Sequence, residues 1–324
     1  MFKMNTMCKT KLALIIPCFN EELVIDSTVR TLLNVMNELI KKNKIDKNSY
    51  IYLVDDGSKD NTWKIINSLR EEFGKKIKAA KFIRNYGNQK ALIAGLLDVN
   101  RIGCDCAITI DADLQQDENT IEKFLDEYSL GAEIVSGIRN DRKTDSVFKK
   151  TTAVCFYKLM NLLGVKIPQN HSDFRLVSKR ALEILEQYSE RELFLRGFFH
   201  ETGLKTTYVN FDVKPRTLGV SKFNFISLTS LALNGITSYS IIPLRLISAT
   251  GFLTVLLSLI VAFEAIYDKY VLKITPSGWA TIVILVVFFG GLQIFCLGII
   301  GEYLGQIFKE VKSRPRYIKE TELL

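Results

Sequence analysis

Short apolar runs alternate with stretches of helical period through the first two thirds of the chain. The apolar runs, most of them rich in β-branched and aromatic residues, predict strands at 12–16, 50–54, 81–83, 106–110 and 132–136. The stretches between them predict helices at 22–42, 61–73, 88–100 and 118–128. This alternation predicts an α/β fold with a mostly parallel sheet, in which ligands bind beyond the carboxyl ends of the strands.

The last third of the chain is far more apolar. Residues 246–263 form a run of 18 without charge, and residues 274–301 a second run of 28. Both runs are long enough to cross a bilayer, which predicts transmembrane helices at about 244–266 and 279–301. Their short connection predicts a hairpin over 242–303, and the excess of Lys and Arg in the tail, 304–324, places both ends in the cytoplasm. Two helices buried in a large soluble core are the weaker interpretation.

The segment before the first apolar run has a different character. Residues 225–239 carry no charge but contain Ser, Thr and Asn, which is typical of a helix lying in the membrane interface. We therefore divide the chain into a domain at 1–224, an interfacial amphipathic helix at 225–241, the hairpin and the basic tail.

Composition narrows the classes of partner and site. Apolar residues make up 48% of the chain, too many for a disordered protein. Lys and Arg number 43 against 35 acidic residues, and a net charge of +8 favours anionic partners such as nucleotides, phosphates or anionic lipid. The six cysteines lack metal-finger spacing and are interpreted as free thiols in a reducing compartment.

Polar residues follow the first two predicted strands. Pro17, Asn20 and Glu21 can form a fixed loop after the first strand, and an ordinary turn is the alternative. Asp55 and Asp56 end the second strand, where adjacent carboxylates repel each other. A carboxylate there can accept from a base N–H or a ribose hydroxyl, although a capping turn explains it equally well.

The third and fourth strands also end in polar residues. Arg84, Asn85 and Gly87 follow the third, where glycine lets backbone approach a ligand and arginine can bind phosphate. The chain lacks the glycine patterns of dinucleotide-binding folds and P-loops, which disfavours dehydrogenases and P-loop nucleotidases. Asp111, Asp113 and Gln115 follow the fourth strand, and alternate residues of an extended chain point the same way. Converging oxygen ligands predict Mg²⁺ or Mn²⁺, and a solvated turn is the alternative.

Taken together, these motifs resemble the inverting family 2 glycosyltransferases of GT-A fold. Ser172-Asp173-Phe174-Arg175 and the run from Arg216 to Lys222 are similar to the polyprenyl-phosphate branch, which includes dolichyl-phosphate mannose synthase and the bactoprenol glucosyltransferases. Gly301-Glu302-Tyr303-Leu304-Gly305 and Glu310-x-Lys312-x-Arg314-Pro315-x-Tyr317 resemble its two-span subgroup.

The resemblance implies a role for each matching residue. It implies nucleotide binding by Pro17, Asn20, Glu21, Asp55, Arg84, Asn85, Gly87, Asp111 and Ala112. It implies a divalent metal on Asp111, Asp113 and Gln115, and acceptor-phosphate binding by Arg139, Lys150, Arg216 and Lys222. Asp173 falls at the position proposed as a catalytic carboxylate, and Asp113 is the second residue expected to be essential for turnover.

The implied reaction moves one sugar from a nucleotide sugar to undecaprenyl phosphate with inversion. UDP-glucose is the first expectation for the donor and UDP-N-acetylglucosamine the second. The lipid phosphate is already mostly ionised at pH 7, so a strong base is unnecessary and Asp173 is expected to orient basic groups or the acceptor. The implied location is the cytoplasmic membrane, multi-pass, with the product serving cell-envelope glycosylation. A tetramer would fit the subgroup, and a nucleic-acid partner is not expected.

Two other hypotheses remain open. A processive polysaccharide synthase would resemble a Gln-x-x-Arg-Trp pattern, but neither Trp63 nor Trp279 is preceded in that way. A membrane-tethered nucleotide-sugar sensor would need no catalysis and predicts a damaged metal triad, whereas all three residues are present.

Overall fold

The computed structural model describes residues 9–140, 171–191, 193–213, 242–267, 270–271 and 278–324. Lys150, Arg216 and Lys222, three of the four residues expected to bind the acceptor phosphate, lie outside the described residues. The expected interfacial helix at 225–241 also lies outside them.

The described part of the chain forms an eight-stranded sheet in the order β7-β5-β6-β4-β1-β2-β3-β8. Strands β1–β4 run parallel, β7 is parallel to β5, and β6 and β8 are antiparallel to their neighbours. The carboxyl ends of β1–β4 therefore meet at one edge. The strands are β1 Leu12–Cys18, β2 Tyr50–Asp55, β3 Ile77–Phe82, β4 Cys106–Thr109, β5 Ile134–Arg139, β6 His171–Ser178, β7 Thr206–Phe211 and β8 Lys319–Leu323.

Helices cover both faces of this sheet, which explains why β1 and β2 are buried at every position. One hydrophobic cluster joins α1, α2 and α4 to one face, and a second joins α3, α5 and α6 to the other. The helices are α1 Ile25–Lys41, α2 Thr62–Phe73, α3 Asn88–Ile102, α4 Thr120–Ser129, α5 Lys179–Gln187, α6 Leu195–Glu201, α7 Ile242–Tyr267 and α8 Trp279–Val311.

The predicted α/β alternation is confirmed, with one strand misplaced. The third strand begins at Ile77 rather than at 81, because its first residues, Ile-Lys-Ala-Ala, are too short and too mixed to stand out as an apolar run. Strands β6, β7 and β8 were not predicted. Strand β6 lies between β4 and β5 and runs antiparallel to both, a position that no local pattern specifies.

Helices α7 and α8 expose large apolar side chains along their length, among them Phe252, Phe263, Ile294 and Phe295. Within the described residues, one helical segment, Phe288–Val311, is long and apolar enough to cross a membrane, with 24 residues. Ile242–Thr254 is a shorter apolar segment of α7. A membrane-crossing helix near the C-terminus thus matches the sequence analysis, and the second span stays a prediction.

The C-terminal tail is more structured than the sequence indicated. Helix α8 continues to Val311, beyond the predicted end of the span at about 301, and the chain then turns back to form β8. Strand β8 pairs antiparallel with β3 at the edge of the sheet. The segment expected to be a basic tail is therefore partly an edge strand of the first domain.

Candidate active site

The loops after β1 and β2 are joined by hydrogen bonds. The Asn20 backbone N–H donates to Ser58 Oγ at 2.9 Å, and Asn20 Oδ1 accepts from the Lys59 N–H at 2.9 Å. The Glu21 N–H donates to Thr62 Oγ1 at 2.8 Å. Asn20 has a φ of 53°, a left-handed conformation that Asn tolerates better than most residues. Two of the predicted loops therefore form one structure.

Asp55 lies at the end of β2 with its side chain fully buried. Its Oδ1 accepts from the Ser58 N–H at 2.9 Å, while its Oδ2 is a buried atom with no hydrogen-bond partner among the described residues. Burial raises the pKa of this carboxyl, an effect larger than the opposing hydrogen bond from Ser58. A buried acceptor without a partner is costly, and a ligand N–H or O–H would relieve that cost.

Asp56 has a different function from its neighbour. Its two oxygens accept from the Tyr86 N–H at 2.7 Å and the Gly87 N–H at 2.8 Å, so it holds the loop after β3. Burial raises its pKa to about 6, against the effect of those two hydrogen bonds. The sequence did not predict this role of Asp56. The sequence feature that could have indicated this role is the pair of adjacent carboxylates, Asp55 and Asp56.

The loops after β2 and β3 are also in close backbone contact. Gly57 has a φ of 68°, and a Cβ atom built there would lie 2.3 Å from the Arg84 carbonyl carbon. The Arg84 guanidinium carbon lies 4.7 Å from the centre of the Tyr86 ring. Arg84, Asn85 and Gly87 thus lie in a loop that contacts the loop after Asp55, and their role in a shared site stays a prediction.

The residues after β4 form a turn rather than an extended segment. Strand β4 ends at Thr109, and Leu114 has a φ of 46°. The expectation that Asp111, Asp113 and Gln115 align as alternate residues of an extended chain is therefore wrong, because a turn changes the direction of the backbone. Asp111 instead accepts from the Gln116 side chain, and Asp113 Oδ1 accepts from the Gln115 N–H at 3.2 Å.

Asp111 lies in a concentration of negative charge. Burial raises its pKa to about 6, and repulsion from Asp173 and Asp113 adds to that effect, while the Gln116 hydrogen bond and Arg139 oppose it. A hard dication would relieve this repulsion, and carboxylate and amide oxygens are the donors that such an ion prefers. Among the described residues, no three His, Cys, Asp or Glu side chains form a metal-binding group. The predicted metal ligands are two aspartates, Asp111 and Asp113, and one glutamine, Gln115, which is not among those four residue types.

Asp173 is held by an arginine that the sequence analysis missed. Arg196 Nε and Nη2 donate to its two carboxylate oxygens at 3.0 and 2.9 Å. Arg175 lies on the same side, buried, with Nη2 3.4 Å from Asp173 Oδ1, and burial lowers the pKa of Arg175 to about 10. Thr109 Oγ1 donates to the Asp173 carbonyl. The signal for Arg196 was a charged residue inside the apolar stretch 193–199.

The structure therefore brings most of the predicted nucleotide and metal residues to one edge of the sheet. Pro17 and Ala112 are both buried, and Thr28 Oγ1 donates to the Ala112 carbonyl at 2.6 Å. Arg139, the one described member of the predicted acceptor set, ends β5 with an exposed side chain whose charge acts on Asp111. This arrangement can bind a polar, anionic ligand across the ends of β1–β4.

A mostly parallel sheet with polar loops beyond its carboxyl edge is the place where α/β proteins bind ligands. The family described as "Glycosyl transferase family 2" matches residues 13–185. The chain belongs to that family, and its α/β domain is GT-A-like. The predicted resemblance is confirmed.

Several relatives match over almost the whole chain. "Uncharacterized glycosyltransferase YkoT" of Bacillus subtilis is 46% identical over 96% of this chain and 92% of that protein. "Bactoprenol glucosyl transferase" of Shigella phage SfX is 37% identical over 95% of this chain and 98% of that protein. "Uncharacterized glycosyltransferase sll0501" of Synechocystis is 36% identical over 95% of this chain and 94% of that protein. The chain is therefore similar over almost its whole length to proteins named as glycosyltransferases, in agreement with its membership of family 2.

Proposed function

We propose that this enzyme transfers one sugar from a nucleotide sugar to a polyprenyl phosphate, with inversion at the anomeric carbon. The names of relatives such as the Shigella phage SfX protein support a bactoprenol (undecaprenyl) acceptor and glucose, which makes UDP-glucose the first donor and UDP-N-acetylglucosamine the second. The product is a lipid-linked sugar for cell-envelope glycosylation.

The observation that carries this proposal is the charge arrangement at Asp111. A half-buried carboxylate with a raised pKa, beside Asp113 and Asp173, fits a site that binds a dication together with an anionic donor. Asp111, Asp113 and Gln115 would hold Mg²⁺ or Mn²⁺. When bound, such an ion screens the donor diphosphate and stabilises its departure.

The nucleotide is assigned to the loops after β1, β2 and β3. Asp55 Oδ2, the buried acceptor at the base of these loops, is suited to a donor group of the base or ribose. Asn20, Glu21 and the loop at Arg84 follow the neighbouring strands β1 and β3, and Arg84 and Asn85 are exposed enough to contact a ligand. Asp56 contributes by holding the Tyr86 and Gly87 backbone.

The acceptor needs little help to become a nucleophile. A phosphate monoester has a second pKa of about 6, so at pH 7 it is mostly the dianion. A general base is unnecessary, and the two hydrogen bonds from Arg196 make Asp173 better suited to orienting groups than to accepting a proton. Displacement at the anomeric carbon converts an α-linked donor into a β-linked lipid phosphate.

Basic residues offset the repulsion between the two anions. We assign acceptor-phosphate binding to Arg139, Lys150, Arg216 and Lys222, the last two just before the proposed interfacial helix at 225–241. A lipid whose tail stays in the bilayer needs its phosphate held at headgroup level. We propose that α7 and α8 provide both spans of a multi-pass anchor in the cytoplasmic membrane, with the domain at 1–224 and both termini cytoplasmic.

The test is incubation of membranes containing the full chain with a panel of labelled nucleotide sugars, with and without undecaprenyl phosphate and Mn²⁺. We expect label in the organic phase only when donor, acceptor and metal are all present. Asp113→Ala should lower turnover by at least about 100-fold, a typical loss for removed electrostatic stabilisation. Asp126→Ala, at an exposed surface pair with Lys44, is the control.

Other outcomes would contradict the proposal. A water-soluble polymer as product would indicate a processive synthase. Donor binding without turnover for every sugar would indicate a sensor. Wild-type turnover by Asp113→Ala, or undiminished turnover in excess chelator, would contradict the metal assignment.

A further inference from the structure

The segment after helix α8 returns to the first domain beside the proposed nucleotide site. Strand β8 pairs with β3 from Ala79 to Phe82, and the Ile83 N–H donates to the Ile318 carbonyl at 3.2 Å. Strand β3 leads directly into the loop that carries Arg84, Asn85 and Gly87. The C-terminal segment is therefore bonded to the last residues before that loop.

An aromatic contact chain runs from this segment into the loop. The Tyr317 ring stacks on Phe82 with centroids 4.9 Å apart and an interplanar angle of 15°. Phe82 is fully buried and contacts the Tyr86 ring edge-on, with the ring centroids 5.7 Å apart. The guanidinium carbon of Arg84 lies 4.7 Å from the centre of the Tyr86 ring. Three rings thus connect the C-terminal segment to the loop.

Polar contacts fix the ends of this segment. Lys319 Nζ lies 2.6 Å from Asp98 Oδ1 on α3, a buried carboxylate that also accepts from Tyr52 at 2.7 Å and Arg101 at 2.9 Å. On the other side of Tyr317, Arg316 donates to the Tyr188 carbonyl. Since residues on both sides are anchored, the Tyr317 ring is held against Phe82 by the fold and does not depend on its own contact alone.

We propose that Tyr317 is a positioning residue for the nucleotide-binding loop 84–87, acting through Phe82 and Tyr86. The inference rests on the proposed function, because it assumes that this loop binds the donor nucleotide. The loop is held from below by Asp56 and by the backbone contact with Gly57, whereas a Cβ at Gly87 would meet nothing within 4 Å. Tyr317 adds a further contact to this loop, through Phe82 and Tyr86, from the side where β8 pairs with β3.

The first measurement is UDP affinity of the purified full chain in detergent with Mn²⁺. We expect Tyr317→Leu, which keeps apolar bulk but removes the ring, to weaken UDP binding by about threefold to tenfold, as the loss of a stacked ring pair would. Tyr317→Phe should restore binding to within about twofold, because the stacking needs only the ring. Thr321→Ala is the matched control, since its side chain is exposed on β8, four residues after Tyr317.

The second measurement is hydrogen exchange of the segment containing the Tyr86 and Gly87 amides, in protein without nucleotide. Tyr317→Leu should speed exchange there, with Tyr317→Phe and Thr321→Ala unchanged. Unchanged exchange, or UDP affinity equal to the wild type, would overturn the inference. Failure of the wild type itself to bind UDP would count against the proposed function, and the exchange result would still decide the role of Tyr317 in holding the loop.

Discussion

At the scale of single residues, two adjacent carboxylates have separate tasks. Asp55 keeps one oxygen without a hydrogen-bond partner among the described residues, whereas Asp56 uses both of its oxygens to hold the loop after β3. Burial raises the pKa of both groups, and the pKa of Asp56 reaches about 6. Because that value lies near neutrality, loop geometry should respond to pH.

The pH prediction concerns UDP-glucose, which has no phosphate group titrating near pH 6. Below pH 6 the Asp56 carboxyl takes up a proton and can no longer accept both backbone N–H bonds, so UDP-glucose affinity should fall between pH 7.5 and 5.5. Asp56→Asn should bind weakly at every pH and show a shallower decline than the wild type. Titration calorimetry across this range is the measurement, and parallel curves for the two proteins would contradict the assignment.

The contribution of Asp56 to folding stability should change with pH in the opposite direction to UDP-glucose affinity. Folding raises the pKa of Asp56, so the folded state favours its protonated form, and this group's contribution to the free energy of unfolding grows as pH falls from about 7 to about 4. The difference in thermal midpoint between wild type and Asp56→Asn, followed over that range, isolates this contribution. We expect the wild type to gain stability relative to the variant as pH falls.

A second residue-scale prediction concerns the two hydrogen bonds between Arg196 and Asp173. Arg196→Lys keeps the charge but cannot form both bonds, and Arg196→Gln loses the charge as well. We expect kcat to fall about tenfold or more for the Lys variant and further for Gln, with the KM for the donor little changed. The control is Arg180→Gln, which removes an exposed arginine–carboxylate pair with Glu133. An unchanged kcat in both Arg196 variants would show that the pair is only structural.

At the scale of elements, the site depends on loops packed against one another. The loop after β2 reaches the loop after β3 only because Gly57 has no side chain. The same β2 loop binds the one after β1 through Ser58 and Thr62. Three strand ends therefore behave as one unit, and a change in one loop should affect ligand binding at the others.

This packing gives a prediction with a built-in control. Gly57 and Gly74 both have left-handed φ values, of 68° and 58°, but a Cβ meets backbone atoms at Gly57 and open space at Gly74. Gly74→Ala should lower the free energy of unfolding by about 1–3 kcal/mol from backbone strain alone, because side chains avoid its combination of φ 58° and ψ −134°. Gly57→Ala should cost about 2–5 kcal/mol and weaken UDP binding, because the Arg84 backbone must also move. Denaturant unfolding and UDP titration of both variants check this, and equal costs would contradict the loop contact.

At the scale of the whole molecule, an α/β domain is joined to long helices with apolar surfaces. Strand β8 follows α8 and adds to the sheet of that domain, so the C-terminal end of the membrane-crossing candidate connects to the sheet. Glu310, one residue before the end of α8, accepts from the Arg191 N–H at 2.8 and 3.0 Å. These contacts tie the cytoplasmic end of the proposed hairpin to the domain.

The topology prediction uses new cysteines at two exposed positions. Tyr270→Cys, between α7 and α8, should react with a membrane-impermeant maleimide in intact cells. Thr321→Cys, in β8, should react only after the cells are opened, because both termini are expected to be cytoplasmic. The wild-type chain, which keeps its six native cysteines, measures the background. Labelling of Thr321→Cys in intact cells would contradict the proposed orientation.

The sequence by itself determined the α/β alternation, the polar strand ends and the apolar C-terminal third. Each of these is a local property: apolar runs predict buried strands, and long uncharged runs predict membrane helices. The motif at Asp111 predicted a metal site, which stays a prediction, but not the turn in which Leu114 has a φ of 46° and packs against the hydrophobic core.

Only the tertiary structure decided which distant residues support the site. Arg196 reaches Asp173 across 23 positions, and Lys319 reaches Asp98 across 221. The pairing of β8 with β3 and of β6 with both β4 and β5 depends on the packing of the whole sheet. Such contacts join residues far apart in the chain, where no periodicity or spacing records their proximity, so they become visible only when the chain is folded.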